Sequence, residues 1–551
     1  MTNTVLTMDE HQPQAIDRIN AETKTLEECL LALRRRNALA PISSLPTEVI
    51  ADIFYLLREQ PPVLPVAHVC HRWREIALAH PLFWSRLDFT TISPAGATEI
   101  LARSGMVPLY LEANVLANRW DDVRCVAFQK VLQPHVSHIY RLRIKASQLR
   151  LNRVLEGLIS PAPTLEHLSL SIEYYNEPSR VFVPDTLFDA TTPKLSSLNL
   201  FNCSISWKSP LFKSLKHLET ISLSRIVRPS LIDWLAALDE MPQLRSLLLH
   251  LASPSTSPLT YHVKRRVTLP SLACLDISDS ELDCALALSH LVLPSLTSLC
   301  VTTTSTRSSI DGLQKMLPYV AKHAHGPQDT QPLQRVIISH SRALLVIKAW
   351  LMPNIDDTED DAKLSQRLVL SIYIDVLNNN VTILDMVIAA LPLGSLVTLT
   401  CPSRCNTRFG FEKDFWRCHV SQWTLLRHVC LAPLPAHRFR ELLLQDSGGH
   451  ECPLFPLLTT LELIDGALST RRTRLLCDML MKRVEQGVPL EVLDLRSCTA
   501  TGPAIRLLRE IVVDVWGPEN LESVRTDEFR NLTWDGDHSF VSDHDSEEDW
   551  W

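Results

Sequence analysis

The apolar and polar positions between residues 42 and 87 predict short helices. A first set recurs every three to four residues, as in an amphipathic helix, and comprises Val49, Ile50, Ile53, Phe54, Leu56 and Leu57. This helix should begin near Pro46, because proline fits a first helical turn and Glu48 complements the helix dipole. Prolines at 61, 62 and 65 interrupt the pattern. A second set ends at the His80–Pro81 step and comprises Val66, Val69, Trp73, Ile76 and Ala77.

Large apolar side chains at Phe83, Trp84 and Leu87 follow the second helix. With the two helical sets they predict a compact helical bundle of about fifty residues, a size that buries little surface and is marginally stable alone. We therefore expect the bundle to pack against a partner or against the rest of the chain.

A second pattern, LxxLxL with other aliphatic residues allowed, recurs from residue 139 to residue 495. Seven consecutive copies begin 26, 30, 23, 26, 28 and 24 residues apart: Ile139/Leu142/Ile144, Leu165/Leu168/Leu170, Leu195/Leu198/Leu200, Leu218/Ile221/Leu223, Leu244/Leu247/Leu249, Leu272/Leu275/Ile277 and Leu296/Leu299/Val301. Later copies are Leu333/Val336/Ile338, Leu426/Val429/Leu431, Leu458/Leu461/Leu463 and Leu490/Leu493/Leu495. Each copy predicts a short strand, and residues 368–376 predict another strand of the same sheet.

The period falls in or near the range of leucine-rich repeats, where a return helix or loop follows each strand. Cys203 and Cys498 stand where such repeats place a buried Asn or Cys that supports the turn after the strand. Helical faces over 231–238 and 475–484 predict return helices. The resemblance to leucine-rich repeats, strong in period and weak in consensus, implies an α/β solenoid with an extended binding surface. Core periodicity in some other α/β fold is the alternative.

Segments beside the bundle also carry patterns. Ile19, Leu26 and Leu33 lie seven residues apart, with Leu30 beside them. A short helix or coiled-coil seam fits this spacing, but two heptads are too few for independent stability, which favours packing against the bundle. Residues 95–104 predict a helix, and residues 107–115 predict a strand that could begin the sheet.

Composition and charge limit the classes of function. With 551 residues, 46% of them apolar, the chain should form two or three globular domains. Fourteen cysteines without a signal-peptide pattern indicate reduced thiols and a cytoplasmic or nuclear location. The sequence contains no apolar run long enough to span a membrane, so we expect no membrane segment.

The net charge of −8 is concentrated at one end of the chain. Residues 535–551 contain seven acids and no Lys or Arg, so the remainder carries about −1. A nearly neutral body without a long basic stripe argues against nucleic acid as the main ligand. The acidic tail should be disordered, and the acidic stretch 356–361 should be an exposed loop.

Motifs of catalysis are absent from the sequence, which contains no GxGxxG, GxxxxGK, HExxH or GxSxG pattern. We therefore expect no catalytic residue, no cofactor and no metal site. The nearest approach to a zinc site is Cys401, Cys405, Cys418 and His419, whose spacing fits no paired zinc knuckle. A hydrolase or metal enzyme built from scattered residues is a rival interpretation.

The helical bundle resembles the F-box family, which links a substrate receptor to the adaptor subunit of a cullin-RING ubiquitin ligase. The matching residues are Leu45-Pro46-x-Glu48, Ile53-Phe54, Val69-Cys70-x-x-Trp73-x-x-Ile76-Ala77 and Pro81-x-x-Trp84. The resemblance implies adaptor contacts through Leu45, Pro46, Ile50 and Phe54. It also implies an F-box core made of Val49, Ile53, Val69, Trp73, Ile76 and Trp84. The proline-rich insert from Pro61 to Pro65 departs from the shortest F-box pattern.

Fungal-type F-box proteins with loose leucine-rich repeats look most similar overall. The two resemblances predict an α/β chain with an N-terminal helical or flexible segment (1–40), a three-helix F-box-like bundle (41–90), a connecting α/β segment (91–134), an irregular leucine-rich-repeat horseshoe (135–530) and an acidic tail (531–551). They imply a non-catalytic substrate receptor of an SCF-type ubiquitin ligase, whose F-box binds the adaptor and whose repeats bind a protein substrate. The alternative is a repeat scaffold in which the bundle only caps the array.

Overall fold

The computed structural model describes residues 12–56, 64–90, 92–115, 122–172, 181–221, 228–256, 263–303, 310–325, 333–340, 344–351, 368–375, 381–402, 419, 423–444 and 454–517. The chain packs as two compact units, one formed by residues 1–177 and 183–196 and the other by residues 178–182 and 197–551. The boundary falls inside the predicted repeat domain. The acidic stretch 356–361 and the acidic tail lie outside the described residues.

The first unit begins with helices and continues as a parallel sheet. Its helices are α1 (Gln12–Ala38), α2 (Thr47–Leu56), α3 (Leu64–Ala67), α4 (His71–Ala79), α5 (Pro94–Ser104), α6 (Asp122–Leu132) and α7 (Gln148–Glu156). Short 3-10 turns cover Pro41–Ser44, Pro81–Trp84, Gln133–His138 and Leu187–Ala190. Its strands are β1 (Arg86–Asp88), β2 (Leu109–Asn114), β3 (Ile139–Ala146) and β4 (His167–Ile172), and β5 (Val181–Val183) lies at the boundary between the units.

Strands β1 to β4 pair in chain order, all parallel. Alternate residues of β2, Leu109, Leu111 and Ala113, are buried, and the residues between them face away from the core. The helix predicted over 95–104 and the strand predicted over 107–115 are confirmed as α5 and β2. The sheet begins one strand earlier than expected, because β1 pairs with β2.

The second unit contains the remaining elements. Its strands are β6 (Ser197–Phe201), β7 (Cys203–Ile205), β8 (His217–Ile221), β9 (Ser246–His250), β10 (Val267–Thr268), β11 (Cys274–Asp279), β12 (Leu291–Val292), β13 (Ser298–Thr303), β14 (Arg335–His340), β15 (Leu344–Trp350), β16 (Leu368–Asp375), β17 (Thr398–Cys401), β18 (His428–Leu431), β19 (Thr460–Leu463), β20 (Ala467–Leu468), β21 (Val492–Asp494), β22 (Thr499–Ala500) and β23 (Asp514–Trp516). Its helices are α8 (Leu231–Asp239), α9 (Glu281–His290), α10 (Ile310–His325), α11 (Val381–Ala390), α12 (Pro433–Leu444), α13 (Thr470–Glu485) and α14 (Gly502–Leu508), with a 3-10 turn at Pro210–Phe212.

The main sheet of the second unit is parallel except at one strand. Its order is β6, β8, β9, β11, β13, β16, β15, β14, β17, β18, β19, β21 and β23. Only β15 runs antiparallel to its neighbours among these strands. The short strands β10 and β12 form a separate parallel pair, as do β20 and β22.

Four helices of the second unit begin at hydroxyl N-caps. Ser230, Ser280, Ser469 and Thr501 each accept a hydrogen bond from a backbone N–H in the first turn of α8, α9, α13 and α14. Such a cap satisfies one of the amides that an α-helix leaves unpaired at its start. The predicted helices over 231–238 and 475–484 are confirmed within α8 and α13.

The predicted strand segments lie on β-strands, but the register of one repeat is wrong and the first position of another is not buried. In the fourth copy, Leu215, Leu218 and Thr220 are buried, so Leu218 occupies the second position of the pattern and not the first. In the seventh copy Leu296 is 73% exposed, and Thr297 is buried with its hydroxyl donating to the Leu272 carbonyl at 2.8 Å. A hydrogen bond to the preceding repeat there takes the place of the buried leucine.

Cys498 supports the turn as the repeat resemblance implies. Its Sγ–H donates to the carbonyl of Leu463, at the end of β19, over 3.0 Å. Cys203 makes a weaker contact within its own turn, 3.4 Å from the Phe201 carbonyl oxygen. In the described part of the chain no helix is long and apolar enough to cross a bilayer.

Candidate partner-binding surfaces

Helices α2 and α4 and the turn at Pro81–Trp84 enclose a small aromatic core. The Phe54 ring lies edge-on to Trp73, with centroids 4.9 Å apart, and to Phe83, with centroids 5.6 Å apart. The other buried members are Ile50, Ala51, Ala67, Ile76 and Ala77, with Leu45, Val66, Trp73 and Trp84 partly buried against them. Edge-to-face aromatic pairs add specific geometry to the burial of apolar area, so Phe54 holds a central place in the module.

Two side chains tie the ends of this module to its helices. Arg72 on α4 donates to the carbonyl of Leu45 over 2.7 Å and also to that of Ser43. The Trp84 indole N–H donates to the Ala77 carbonyl over 2.9 Å. The Arg72 bonds hold the chain before α2 against α4, and the Trp84 bond holds the turn at Pro81–Trp84 against α4. Arg72 could not be identified from the sequence, because an arginine next to a core tryptophan usually reads as a surface residue.

The outer face of α2 is apolar as well. Val49, Ile53 and Leu56 recur at helical spacing on a stripe beside the one that carries Ile50 and Phe54. Val49 is 41% exposed and Leu56 is 78% exposed, and Pro46 lies exposed just before the helix. An apolar stripe on a helix is normally buried. We call Pro46, Val49, Ile53 and Leu56 the outer face of α2.

The burial of several α2 side chains differs from the sequence-based assignment of contact and core residues. Ile50 and Phe54, expected to meet the adaptor, are buried in the core, whereas Val49, expected in the core, is exposed. Val69 is also wrongly assigned to the core, because it is 58% exposed in the turn between α3 and α4.

The remaining assignments can be compared with burial in the same way. Ile76 is buried as expected, and Trp73 and Trp84 pack half-buried against the core. Leu45 packs there too, and Ile53 is only partly buried. Of the four expected adaptor contacts, Pro46 alone keeps an exposed side chain.

A second candidate surface lies on the sheet of the second unit, on the side away from its core. One side chain from each strand lies in register across the sheet, forming what we call the central row. Its members are Asn199, Glu219, Leu248, Asp276, Cys300, Ser371, Lys348, Ile337, Thr400, Cys430, Glu462, Asp494 and Trp516. Most are half-buried, and Trp516 at the end is exposed.

The central row contains four carboxylates and one lysine, and its acids have polar neighbours. Glu219 accepts a hydrogen bond from the Asn199 amide. Burial raises the pKa of Asp276 above its ordinary value. The adjacent His428, whose Nε2 lies 3.4 Å from Glu462 Oε2, lowers the pKa of Glu462. The row therefore presents a polar, net acidic strip at neutral pH.

Asp494 and Trp516 end the central row with a cation between them. Arg496 donates to Asp494 from Nη2 over 2.7 Å and from Nε over 3.1 Å. Its guanidinium carbon lies 4.9 Å from the centre of the Trp516 ring, within the range of a cation–π contact. An exposed tryptophan held by an arginine is a side-chain pair enriched at protein interfaces.

The first unit presents a smaller strip of aromatic and basic side chains on its sheet. Arg86 lies over the Tyr110 ring at 5.1 Å, and the Tyr110 and Tyr140 centroids are also 5.1 Å apart. Tyr140 in turn lies 5.4 Å from the His167 ring. Arg141 is exposed beside them. These groups suit contact with another protein, since Tyr and Arg are favoured interface residues.

The comparisons with known proteins concern the helical module. The F-box-like family model matches residues 42–90. The chain carries an F-box-like domain. The resemblance noted in the sequence is confirmed for this segment, and the core around Phe54 is the core of the F-box-like domain. No curated protein matches the chain as a whole or in part.

The described thiols are poor candidates for catalytic nucleophiles. Burial raises the pKa of Cys300 to about 12 and those of Cys477 and Cys498 to about 11, and it raises the pKa of Cys401 and Cys430 further. Thiols with such values stay protonated at neutral pH and are poor nucleophiles. The described residues contain no group of three side chains suited to a metal ion.

The zinc candidate named from the sequence is only partly described. Cys401 is buried at the end of β17, and His419 Nε2 lies 3.3 Å from the Asp385 carboxylate. Cys405 and Cys418 lie outside the described residues. The histidine thus has a carboxylate neighbour on α11, which differs from the cysteine partners that the sequence suggested.

A buried ionic cluster in the second unit was missed by sequence reasoning. Arg228 donates to Asp279 over 2.5 Å and to Asp283 over 3.0 Å, and all three side chains are at least nine-tenths buried. Asp283 also accepts from the backbone N–H of Thr256 and from the Ser280 hydroxyl. The cluster ties the segment just before α8 and the chain after β9 to the start of α9. Its charges pair with one another, which makes it a structural feature.

An apolar cavity of about 70 Å³ lies between α12, α13 and the strands β18 and β19. Its lining includes Leu431, Phe439, Leu461, Leu476 and Met479. Pockets that bind drug-sized molecules are several times larger, about 300–1,000 Å³. The cavity therefore gives no support to the rival interpretation of an enzyme with a small-molecule substrate.

Proposed function

We propose that the F-box-like domain binds the adaptor subunit of an SCF-type cullin-RING ubiquitin ligase, and that the chain is a substrate receptor. The match at residues 42–90 carries the proposal. The exposed apolar outer face of α2 supports it, because a domain this small gains stability by covering such a face with a partner. The adaptor contact is assigned to Pro46, Val49, Ile53 and Leu56.

The sheets then hold the substrate, which we take to be a protein. The second unit acts as an irregular leucine-rich-repeat solenoid of the kind found in fungal-type F-box proteins. Its central row offers a long strip of polar side chains that ends in an aromatic anchor. Such an extended surface suits a macromolecule better than a small ligand. A cytoplasmic or nuclear location belongs to the same proposal.

The receptor contributes proximity and no reacting group. Binding to substrate and adaptor together raises the local concentration of substrate lysines near the ubiquitin-conjugating enzyme. The described thiols, with raised pKa values, suit this non-catalytic role.

Adaptor binding by the purified full chain tests the proposal. The variant Val49→Ala/Leu56→Ala removes two side chains of the outer face and should weaken adaptor affinity at least about tenfold, since central apolar contacts cost over 1 kcal/mol each when truncated. Leu149→Ala, which truncates an exposed leucine of α7, serves as the matched control. Equal affinity for both variants, or no binding by the parent chain, would favour the scaffold in which the domain only caps the array.

A further inference from the structure

Helix α1 lies outside every core of the first unit. It spans 27 residues, from Gln12 to Ala38, or about 40 Å at 1.5 Å per residue. Each side chain from Ile16 to Arg36 is exposed. The expectation that this segment packs against the F-box-like domain is therefore wrong. Most helices in proteins owe their stability to packing of an apolar face, and within the described part of the chain nothing covers the apolar face of α1.

The apolar face of α1 is a three-heptad seam. The first positions of the heptads are Ile16, Thr23 and Leu30, and the fourth positions are Ile19, Leu26 and Leu33. The five aliphatic members are between 45 and 64% exposed. This alternation of three and four residues is the spacing that places side chains on the contact line of a coiled coil. The seam is one position longer than the sequence suggested, because Ile16 belongs to it.

We infer that α1 pairs with α1 of a second copy of this chain as a short antiparallel coiled coil. In an antiparallel arrangement centred between Lys24 and Thr25, first positions face fourth positions. Ile16 then meets Leu33 of the second copy, and Ile19 meets Leu30. Thr23 meets Leu26, so the seam covers itself completely over its whole length. A second copy of the chain is thus an occupant that fits the entire face.

The charged residues beside the seam favour antiparallel over parallel pairing of the two α1 helices. In a parallel pair Glu22 of one helix flanks Glu27 of the other, because the seventh position of one heptad lies beside the fifth position of the next heptad across the seam. The basic run 34–36 of one copy would also lie beside the same run of the other. Both contacts are repulsive. The antiparallel pair sets Glu22 beside Cys29 and Glu27 beside Asn20, and it separates the two basic runs by most of the helix.

The mass of the full chain in solution tests this inference. Because the measurement needs no adaptor, a failure of the dimer can be told apart from a failure of the proposed adaptor binding. Sedimentation analysis should show a dimer that dissociates on dilution. Leu26→Glu/Leu30→Glu should raise the dissociation constant at least about 100-fold, because each dimer loses four buried leucines. Leu31→Glu is the matched control, since Leu31 is 51% exposed on the same helix but lies off the seam; it should change the constant less than about threefold.

Disulfide trapping tests the direction. With Cys29→Ser as background, chains carrying Ile16→Cys are mixed with chains carrying Leu33→Cys and oxidised. The antiparallel pair predicts a mixed disulfide and little self-linking of either chain. A parent chain that stays monomeric at on the order of 100 μM, or a dimer that the Leu26→Glu/Leu30→Glu variant leaves intact, overturns the inference. Self-linked Ile16→Cys dimers overturn the antiparallel direction.

Discussion

Replacing Phe54 with alanine should strongly destabilise the F-box-like domain within the intact chain. The Phe54 side chain is 1% exposed, and its ring is edge-on to both Trp73 and Phe83. Alanine would leave a cavity at the point where α2, α4 and the turn at Pro81–Trp84 meet. Because the sequence assigned this same residue to the adaptor surface, the substitution separates the two assignments of α2.

The size of the effect follows from burial and from the size of the domain. A fully buried Phe→Ala change costs about 3–5 kcal/mol, including the loss of packing around the ring. A single small core of this kind supplies only about 3–5 kcal/mol of net stability. The variant should therefore bring the domain close to equal populations of its folded and unfolded forms.

Hydrogen exchange on the full chain measures this directly. Backbone amides of α2 and α4 should exchange about 10²- to 10⁴-fold faster in Phe54→Ala than in the parent, since each 1.4 kcal/mol of lost stability raises the exchange rate about tenfold. Leu56→Ala is the comparison, since Leu56 is 78% exposed on the same helix. Its free energy of unfolding should stay within about 0.5 kcal/mol of the parent, while its affinity for the adaptor falls.

One result would refute the assignment of the two faces. If Phe54→Ala lost adaptor binding but kept the parent's amide protection in α2 and α4, the ring would be a contact residue and not a core residue. The outer face of α2 would then have no role in binding, and the original assignment of Ile50 and Phe54 to the adaptor would stand.

Three further predictions concern the second unit. Asp279→Ala should lower the free energy of unfolding by about 3–5 kcal/mol in chemical denaturation, because it leaves Arg228 buried without a full partner; Asp239→Ala, which breaks an exposed pair, should cost less than about 1 kcal/mol. Glu462 has a lowered pKa in the folded state, so its contribution is present above the ordinary pKa of 4.5 and is lost as pH falls through the folded value; Glu462→Gln should flatten this part of the acid dependence of the melting temperature. Arg483→Met should lower the melting temperature, since Arg483 donates to buried carbonyls and each unpaired carbonyl costs about 1–3 kcal/mol.

Periodicity was enough to predict the strands, because each one has to bury alternate aliphatic residues whatever its neighbours are. It could not choose the buried face of α2, where Val49 and Ile50 are equally apolar and the choice depends on Trp73 and Phe83 arriving from later in the chain. The fourth repeat was shifted by three residues for a similar reason, since Thr220 takes a core position that the pattern reserves for an aliphatic residue. The Arg228 cluster joins residues up to 55 positions apart, a distance that no local pattern spans.

The position of β14 in the sheet also could not be predicted from the sequence. This position affects the proposed substrate surface. Chain order suggests that β14 follows β13, but β13 pairs with β16, and β15 then runs antiparallel between β16 and β14. A register slip of one residue at either antiparallel pair would turn every side chain of the following strands to the other face. Instead Cys300, Ser371, Lys348, Ile337 and Thr400 stay in one row. The reversal therefore changes the direction of one strand while keeping the central row continuous, which allows an extended partner to contact both halves of the sheet at once.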